Sequence, residues 1–273
     1  MDRLQELRNQ VDHCDRALAT LLEERLSIIL EIMEEKKSLG MPIFSQDRER
    51  AIIQNIGNYV HDPAFREEIK TIQTHVLRSC RRIQSRLLFP YHISLVGFMG
   101  SGKTTIGKAL SKMLAMDQID VDHVIEARAR MKISDIFAQY GEPYFRELES
   151  KTVEELSQHQ NVIILCGGGG VVLNKTNVDN LRNNGIVIWL KASPEQIYSR
   201  IATDDTRPLL KDNMSVDKIG TMLDPRLSLY ESAADIAIIT DNKTEEEICM
   251  EIVDRLMQLE IDRPLPLRDV SSL

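Results

Sequence analysis

Apolar residues in the first forty positions recur at spacings of three and four. Leu4, Leu7, Val11, Cys14, Leu18, Leu21, Ile28 and Ile32 keep this rhythm with charged residues between them, which predicts one long amphipathic helix. No Pro or Gly interrupts it before Gly40-Met41-Pro42. A second helix is expected from about Asp47 to Gly57. A third runs from about Pro63 to Leu88, with Ile69, Ile72, Val76, Cys80, Ile83 and Leu87 on one side. One very long helix and two shorter ones cannot bury such stripes in so small a monomer. Pairing of helices between two chains, a homodimer, is therefore expected.

The rhythm changes at Phe89-Pro90. Short apolar runs follow at Ile93–Gly97, Val162–Cys166, Ile186–Leu190 and Ile236–Ile239, with helix-like segments between them. This alternation predicts a parallel sheet covered by helices on both faces. The expected organisation is an all-α domain over residues 1–88, an α/β domain over 89–260, and an irregular tail over 261–273 that carries Pro264 and Pro266.

Composition narrows the classes. A formal net charge of -8 argues against a nucleic-acid binder, which would present a basic face. Cys14, Cys80, Cys166 and Cys249 form no CxxC pair, so neither a zinc site nor a disulfide framework is suggested. The N-terminal segment lacks the apolar stretch of a signal peptide, and no run approaches the ~18 apolar residues of a membrane span. The cytoplasm is the expected location.

Gly97-Phe98-Met99-Gly100-Ser101-Gly102-Lys103-Thr104 fits the phosphate-loop pattern GxxxxGK[ST], between an expected strand and an expected helix. In that context glycines let backbone N–H groups turn around phosphates and the helix N-terminus adds positive potential. Lys103 reaches the β- and γ-phosphates, and Thr104 is a ligand for Mg²⁺. The motif predicts a nucleoside triphosphate, with Mg²⁺, but not which reaction.

Further motifs follow in order: Asp120-Val121-Asp122, Phe145-Arg146 with Glu149, Gly167-Gly168-Gly169, Arg207-Pro208-Leu209-Leu210, and Arg226-Leu227-Ser228-Leu229-Tyr230. With the phosphate loop, this set over residues 91–258 resembles shikimate kinase. The resemblance implies ATP-dependent phosphorylation of shikimate at its 3-hydroxyl. ATP would lie against Gly100, Ser101, Gly102, Lys103, Thr104 and Thr105, with Arg200 stacked on adenine. Asp120 would hold Mg²⁺ through water, and Asp122 would orient the attacking hydroxyl and can act as its base. Arg146 and Arg226 would grip the substrate carboxylate, since guanidinium forks suit that group. Gly167, Gly168 and Gly169 would admit the ring, and Arg207 would open a lid over 207–226 and stabilise the transferring phosphoryl group. Cys166 and Ser228 depart from residues common in the family.

In the first helix the apolar seam meets Arg25, and Lys36 lies roughly three turns on, near the same face. Cations in a seam need an anion, or else must snorkel to water. Arg8, Arg25, Lys36, Arg48, Glu49 and Gln84, with Pro42-Ile43-Phe44 ahead of Asp47, resemble the all-helical class of chorismate mutase, which forms an intertwined three-helix dimer. The resemblance implies rearrangement of chorismate to prephenate. Arg8 and Arg25 would bind carboxylates, Lys36 and Gln84 would face the ether oxygen, Glu49 would take the ring hydroxyl, and Arg48 would support that corner. Ser45 and Cys80 replace the usual Asp and Ser. A shikimate kinase carrying an inactive helical dimerisation module is the alternative reading.

Overall fold

The computed structural model describes residues 2–202 and 215–262, the last three by backbone alone. Two compact units divide between Gln84 and Ser85, within the last turns of the third helix and four residues before Phe89.

The first unit is helical. Helix α1 spans Arg3–Ser38 and is capped by the Asp2 carboxylate, which accepts from the Leu4 N–H. At its other end the Met41 N–H returns to the Lys36 carbonyl (2.9 Å) and the Gly40 N–H to the Lys37 carbonyl (3.2 Å). This paired return is the Schellman ending of a helix. Helix α2 (Gln46–Ile56) starts where Ser45 Oγ accepts from the Arg48 N–H. Helix α3 spans Arg66–Leu88 after 3-10 turns at Gly57–Tyr59 and Pro63–Phe65. Of the α1 side chains only Met33 is buried. Leu4, Val11, Leu18 and Leu21 remain 51%, 58%, 52% and 62% exposed, so the apolar row expected to find a partner is uncovered within one chain.

The second unit is built on five parallel strands: β1 (His92–Val96), β2 (Asp117–Asp120), β3 (Val162–Leu165), β4 (Gly185–Lys191) and β5 (Ile236–Ile239), in spatial order β2-β3-β1-β4-β5. The central strand is buried at every position, as it must be when both faces of a parallel sheet are covered. Its register pairs Ile93 with Ile163 on one side and Ile186 on the other. The helices are α4 (Lys103–Leu114), α5 (Val121–Ala129), α6 (Ile133–Leu156), α7 (Lys175–Asn183), α8 (Pro194–Ala202), α9 (Val216–Ala233) and α10 (Glu245–Asp262). Helix α4 packs on β1, β2 and β3 and against α10, while α7 and α9 pack on β4. Helix α6 is broken at Gly141, whose φ of 80° and ψ of 171° are not helical, and restarts at Pro143.

Two expectations shift at their edges. Helix α10 continues to Asp262, past the expected start of the tail, and 263–273 lie outside the described residues. The second half of the 207–226 segment is already helix α9, and its first residues, to 214, also lie outside.

His92 opens β1 fully buried, with Nε2 at 3.0 Å from the Leu181 carbonyl. Burial holds its imidazole below the usual histidine range. The unfolded chain therefore takes up this proton first. The contribution to stability is intact above about pH 6.5 and is lost as pH falls below it. The expected loss approaches about 1.4 kcal/mol per pH unit, and His92→Gln should flatten it. Urea unfolding followed through Trp189, the single tryptophan, checks this; equal slopes in both proteins would refute it.

Candidate functional site

In an open parallel sheet, ligands collect where the strands end, at the point where strand order reverses. Here that point lies between β1 and β3, and the turns after β1, β2 and β3 meet there. The turn after β1 carries Gly100 and Gly102 at φ 76° and 99°, a region a side chain disfavours. Gly102 caps α4, so the first N–H groups of that helix have no helical partner and face the cleft side of the turn. Lys103 follows, buried, and its Nζ donates to the carbonyls of Gly97 (2.8 Å) and Phe98 (3.1 Å).

After β2, Asp120 caps α5: Oδ1 accepts from the Asp122 N–H (2.9 Å) and the His123 N–H (3.4 Å). Asp122 is thereby fixed in the first turn. After β3 the chain passes against it, and a Cβ added to Gly167 would collide with the Asp122 carboxylate. These turns enclose an open cleft of about 1380 Å³ lined by Gly100, Ser101, Gly102, Lys103, Thr104, Thr105, Asp120, Asp122, Gly167, Gly168 and Arg200. Arg200 is tied to its wall, donating to the Ser101 carbonyl (3.1 Å) and, through both Nη atoms, to Thr240 (3.0 Å each).

Arg146 and Arg226 do not border this cleft. Arg146 lines an adjacent cavity of about 380 Å³ with Glu142, Glu149 and Gly170. Its Nη1 donates to Glu149 Oε2 (2.8 Å), and its Nε and Nη2 donate to Glu142 Oε1 (3.1 and 2.8 Å). Burial opposes the guanidinium charge, yet Glu149 and Glu142 outweigh it and strengthen the charged form. Glu149 is itself buried, which raises its carboxyl above the usual range despite Arg146. Arg226 sits on α9 with Cζ 5.6 Å from the centre of the Phe98 ring. Arg207 lies outside the described residues.

Gly169 is buried, and its carbonyl accepts from the Tyr230 hydroxyl (2.7 Å). Tyr230 stacks on Trp189, and burial pushes its phenol up to about 12. Gly170 was passed over in the sequence reading although it completes the glycine run; a Cβ there would strike the Arg146 guanidinium. Burial also raises the Cys166 thiol, holding it in its neutral form.

The helical unit has its own cavity, about 720 Å³, lined by Arg25, Lys36, Arg48, Glu49 and Gln84 among Ile28, Ile32, Ile43 and Phe44. Arg25 Nη1 lies 2.7 Å from Cys80 Sγ. Lys36 Nζ donates to the carbonyls of Pro42 (3.0 Å) and Ile43 (3.1 Å). Glu49 pairs with Arg81, a cavity residue the sequence reading missed, because its partner stands 32 positions away. Gln84 is 8% exposed. Arg8 is exposed and is not among the lining residues.

Among the described residues, no group of three or more His, Cys, Asp or Glu could hold a metal, and no helix is long and apolar enough to cross a membrane.

Family models match both units: shikimate kinase over residues 99–257 and chorismate mutase type II over residues 7–85. A shikimate kinase of Dehalococcoides mccartyi is 43% identical over 169 residues, 62% of this chain and 95% of that protein. One from Caldicellulosiruptor bescii is 44% identical over 162 residues, 59% of this chain and 93% of its own. Among solved structures, shikimate kinase from Acinetobacter baumannii in complex with shikimate is 31% identical with a TM-score of 0.59, covering 67% of this chain and 99% of that one. The enzyme from Aquifex aeolicus is 32% identical with a TM-score of 0.53, covering 62% and 98%. The chain belongs to the shikimate kinase family and carries a chorismate mutase type II domain ahead of the kinase.

Proposed function

We propose that one polypeptide catalyses two reactions of aromatic biosynthesis: transfer of the γ-phosphoryl group of ATP to the 3-hydroxyl of shikimate, and rearrangement of chorismate to prephenate. The observation that carries the kinase reading is the convergence of Lys103, Asp122 and the Gly167 backbone on one cleft.

ATP enters with its phosphates against Gly100–Thr105 and its base beside Arg200. Lys103 leaves its loop carbonyls for the phosphates, a charge-assisted bond replacing neutral ones. Asp122 accepts a hydrogen bond from the 3-hydroxyl, aligns its oxygen and can take its proton. The Gly167–Gly169 backbone admits the ring, while Arg146 and Arg226 hold the carboxylate away from the phosphates. Arg207 would act on the transferring group from the lid. The donors available for Mg²⁺ are the Thr104 hydroxyl and the Asp120 carboxylate, hard oxygens that suit it. Asp120 already spends one oxygen on the α5 cap, which fits a contact through water. Bound there with ATP, Mg²⁺ would neutralise phosphate charge. ATP as co-substrate favours the cytoplasm.

In the helical unit, chorismate places a carboxylate on Arg25, its ether oxygen toward Lys36 and Gln84, and its ring hydroxyl on Glu49, with Arg48 beside it. Negative charge develops on the ether oxygen in the transition state, so fixed donors there lower the barrier. The second carboxylate falls to Arg8 of a partner chain. Arg8 and Arg25 stand seventeen residues apart on one helix, roughly 25 Å along its axis, too far for one small substrate. A two-fold pairing through the exposed α1 row brings Arg8 of one chain to Arg25 of the other. Convergence of five polar residues on an apolar-walled cavity favours an active mutase over an inert dimerisation module.

Lys103→Ala or Asp122→Asn should cut shikimate phosphorylation by ~10²-fold or more and leave chorismate turnover intact; a wild-type kinase rate in either rules out the assignment. Arg25→Ala should abolish mutase turnover and spare the kinase in the same coupled assays. Loss of both activities in a folded protein would contradict separate sites, and undiminished turnover of chorismate would remove Arg25 from the mutase. Absence of mutase activity in the wild-type chain would favour the inert module.

Shared sites can be tested by complementation. Arg8→Ala and Arg25→Ala homodimers should each be nearly inactive as mutases. Co-refolded at 1:1, half the dimers are mixed, and each mixed dimer holds one intact site of two, so roughly a quarter of wild-type activity should return. No recovery despite demonstrated subunit exchange would show that each site is built from one chain.

A further inference from the structure

Arg146 is engaged by two carboxylates of very different standing. Glu149 is 2% exposed and cannot leave; Glu142 is 58% exposed and sits one residue after the break at Gly141. Of the five N–H donors on a guanidinium, one is directed to Glu149. Two more, Nε and one on Nη2, converge on a single oxygen of Glu142. The Nε/Nη2 edge is one of the forks that match a carboxylate in bidentate fashion.

Charge counting leads to the same place. Two carboxylates around one guanidinium leave a net charge of minus one, and a substrate carboxylate would add another. An exposed ion pair between residues four apart is weak, so Glu142 is the group that can yield. We infer that Glu142 is an internal competitor: it occupies the carboxylate-binding edge of Arg146 in the free enzyme and is displaced when the anionic substrate binds. The inference rests on the reading of Arg146 as a grip on the substrate carboxylate. Glu149, by contrast, is a positioning residue, holding Nη1 while the other edge changes partner. A displaceable internal carboxylate also acts on specificity, because a neutral polyol brings no charge with which to take the edge from Glu142.

The test is steady-state kinetics of the full chain with shikimate and ATP. Glu142→Gln keeps the shape and removes the competing charge. The KM for shikimate should fall, roughly 2- to 5-fold, the range expected from removing a weak exposed pair. The change should lie in KM rather than kcat. Glu142→Ala should move KM in the same direction. A merely structural role would raise KM in both, because Arg146 would lose an anchor. Arg146→Ala is the reference and should raise KM by about tenfold or more, the cost of a charge-assisted contact. If it does, and the Glu142 variants leave KM unchanged or raise it, the competitor role is overturned while the carboxylate reading stands. If Arg146→Ala leaves KM unmoved, both fall together.

Discussion

Gly167, Gly169 and Gly170 press against Asp122, Tyr230 and Arg146 so closely that none of the three positions has room for a side chain. The turn after β3 is thus the surface on which the kinase site is assembled. It fixes Asp122 from one side, accepts the Tyr230 hydroxyl that ties in α9, and closes the space behind Arg146. Asp122 and Arg146 come from different helices, α5 and α6. What gives them a common frame is bare backbone. A side chain at any of these three positions would move an acid, a cation or the α9 anchor, and so a substrate held at two ends would no longer span them.

The helical unit meets a different constraint. Its cavity is walled by Ile28, Ile32, Ile43 and Phe44, and it holds Arg25, Lys36 and Glu49. Charges in such surroundings must be satisfied before any substrate arrives. Lys36 is met by two carbonyls of the α1–α2 connection, Arg25 by the Cys80 sulfur and Glu49 by Arg81. The same bonds fold the connection back on α1 and tie α3 to both α1 and α2. Ser45 stands where the family commonly has Asp, yet it still caps α2; both residue types do so, so local structure is conserved through the substitution. Cys80 differs more in effect, because its sulfur, a weak acceptor, lies directly on Arg25.

Much of this was legible in the residue pattern. The three helices of the first unit emerge close to their expected limits because caps, Pro63 and the Gly40 ending coincide with the apolar rhythm. Four strands were visible as apolar runs: β1, β3 and β4 lie inside the sheet, covered on both faces, and β5 is an apolar edge strand whose burial alternates. β2 was not, since Asp117-Gln118-Ile119-Asp120 is a short, half-polar edge strand. The phosphate loop and Asp122 each belong to a short local motif, and both line one cleft. Arg146 and Arg226 were expected beside them but border other surfaces in the free enzyme. The partners Glu142 and Arg81 left no mark, because a salt bridge depends on side-chain meeting rather than on spacing alone. Gly170 left one, as the last of four consecutive glycines.

A common logic joins the two units. In the proposed reactions each presents cations to a carboxylate-bearing substrate, and in the structure Arg25, Lys36 and Arg146 rest on internal acceptors. Where the described acceptor is a thiol, as for Arg25, an incoming carboxylate forms the stronger, charge-assisted bond and displacement is downhill. Where the acceptor is itself a carboxylate, as at Arg146, exchange is close to even, and affinity depends on how easily the internal anion departs. Exposure then decides the outcome: Glu142 can return to water, whereas Glu149 would have to carry its charge through the protein interior. Placing one carboxylate of each kind on the same guanidinium keeps the cation oriented at all times and leaves one edge exchangeable.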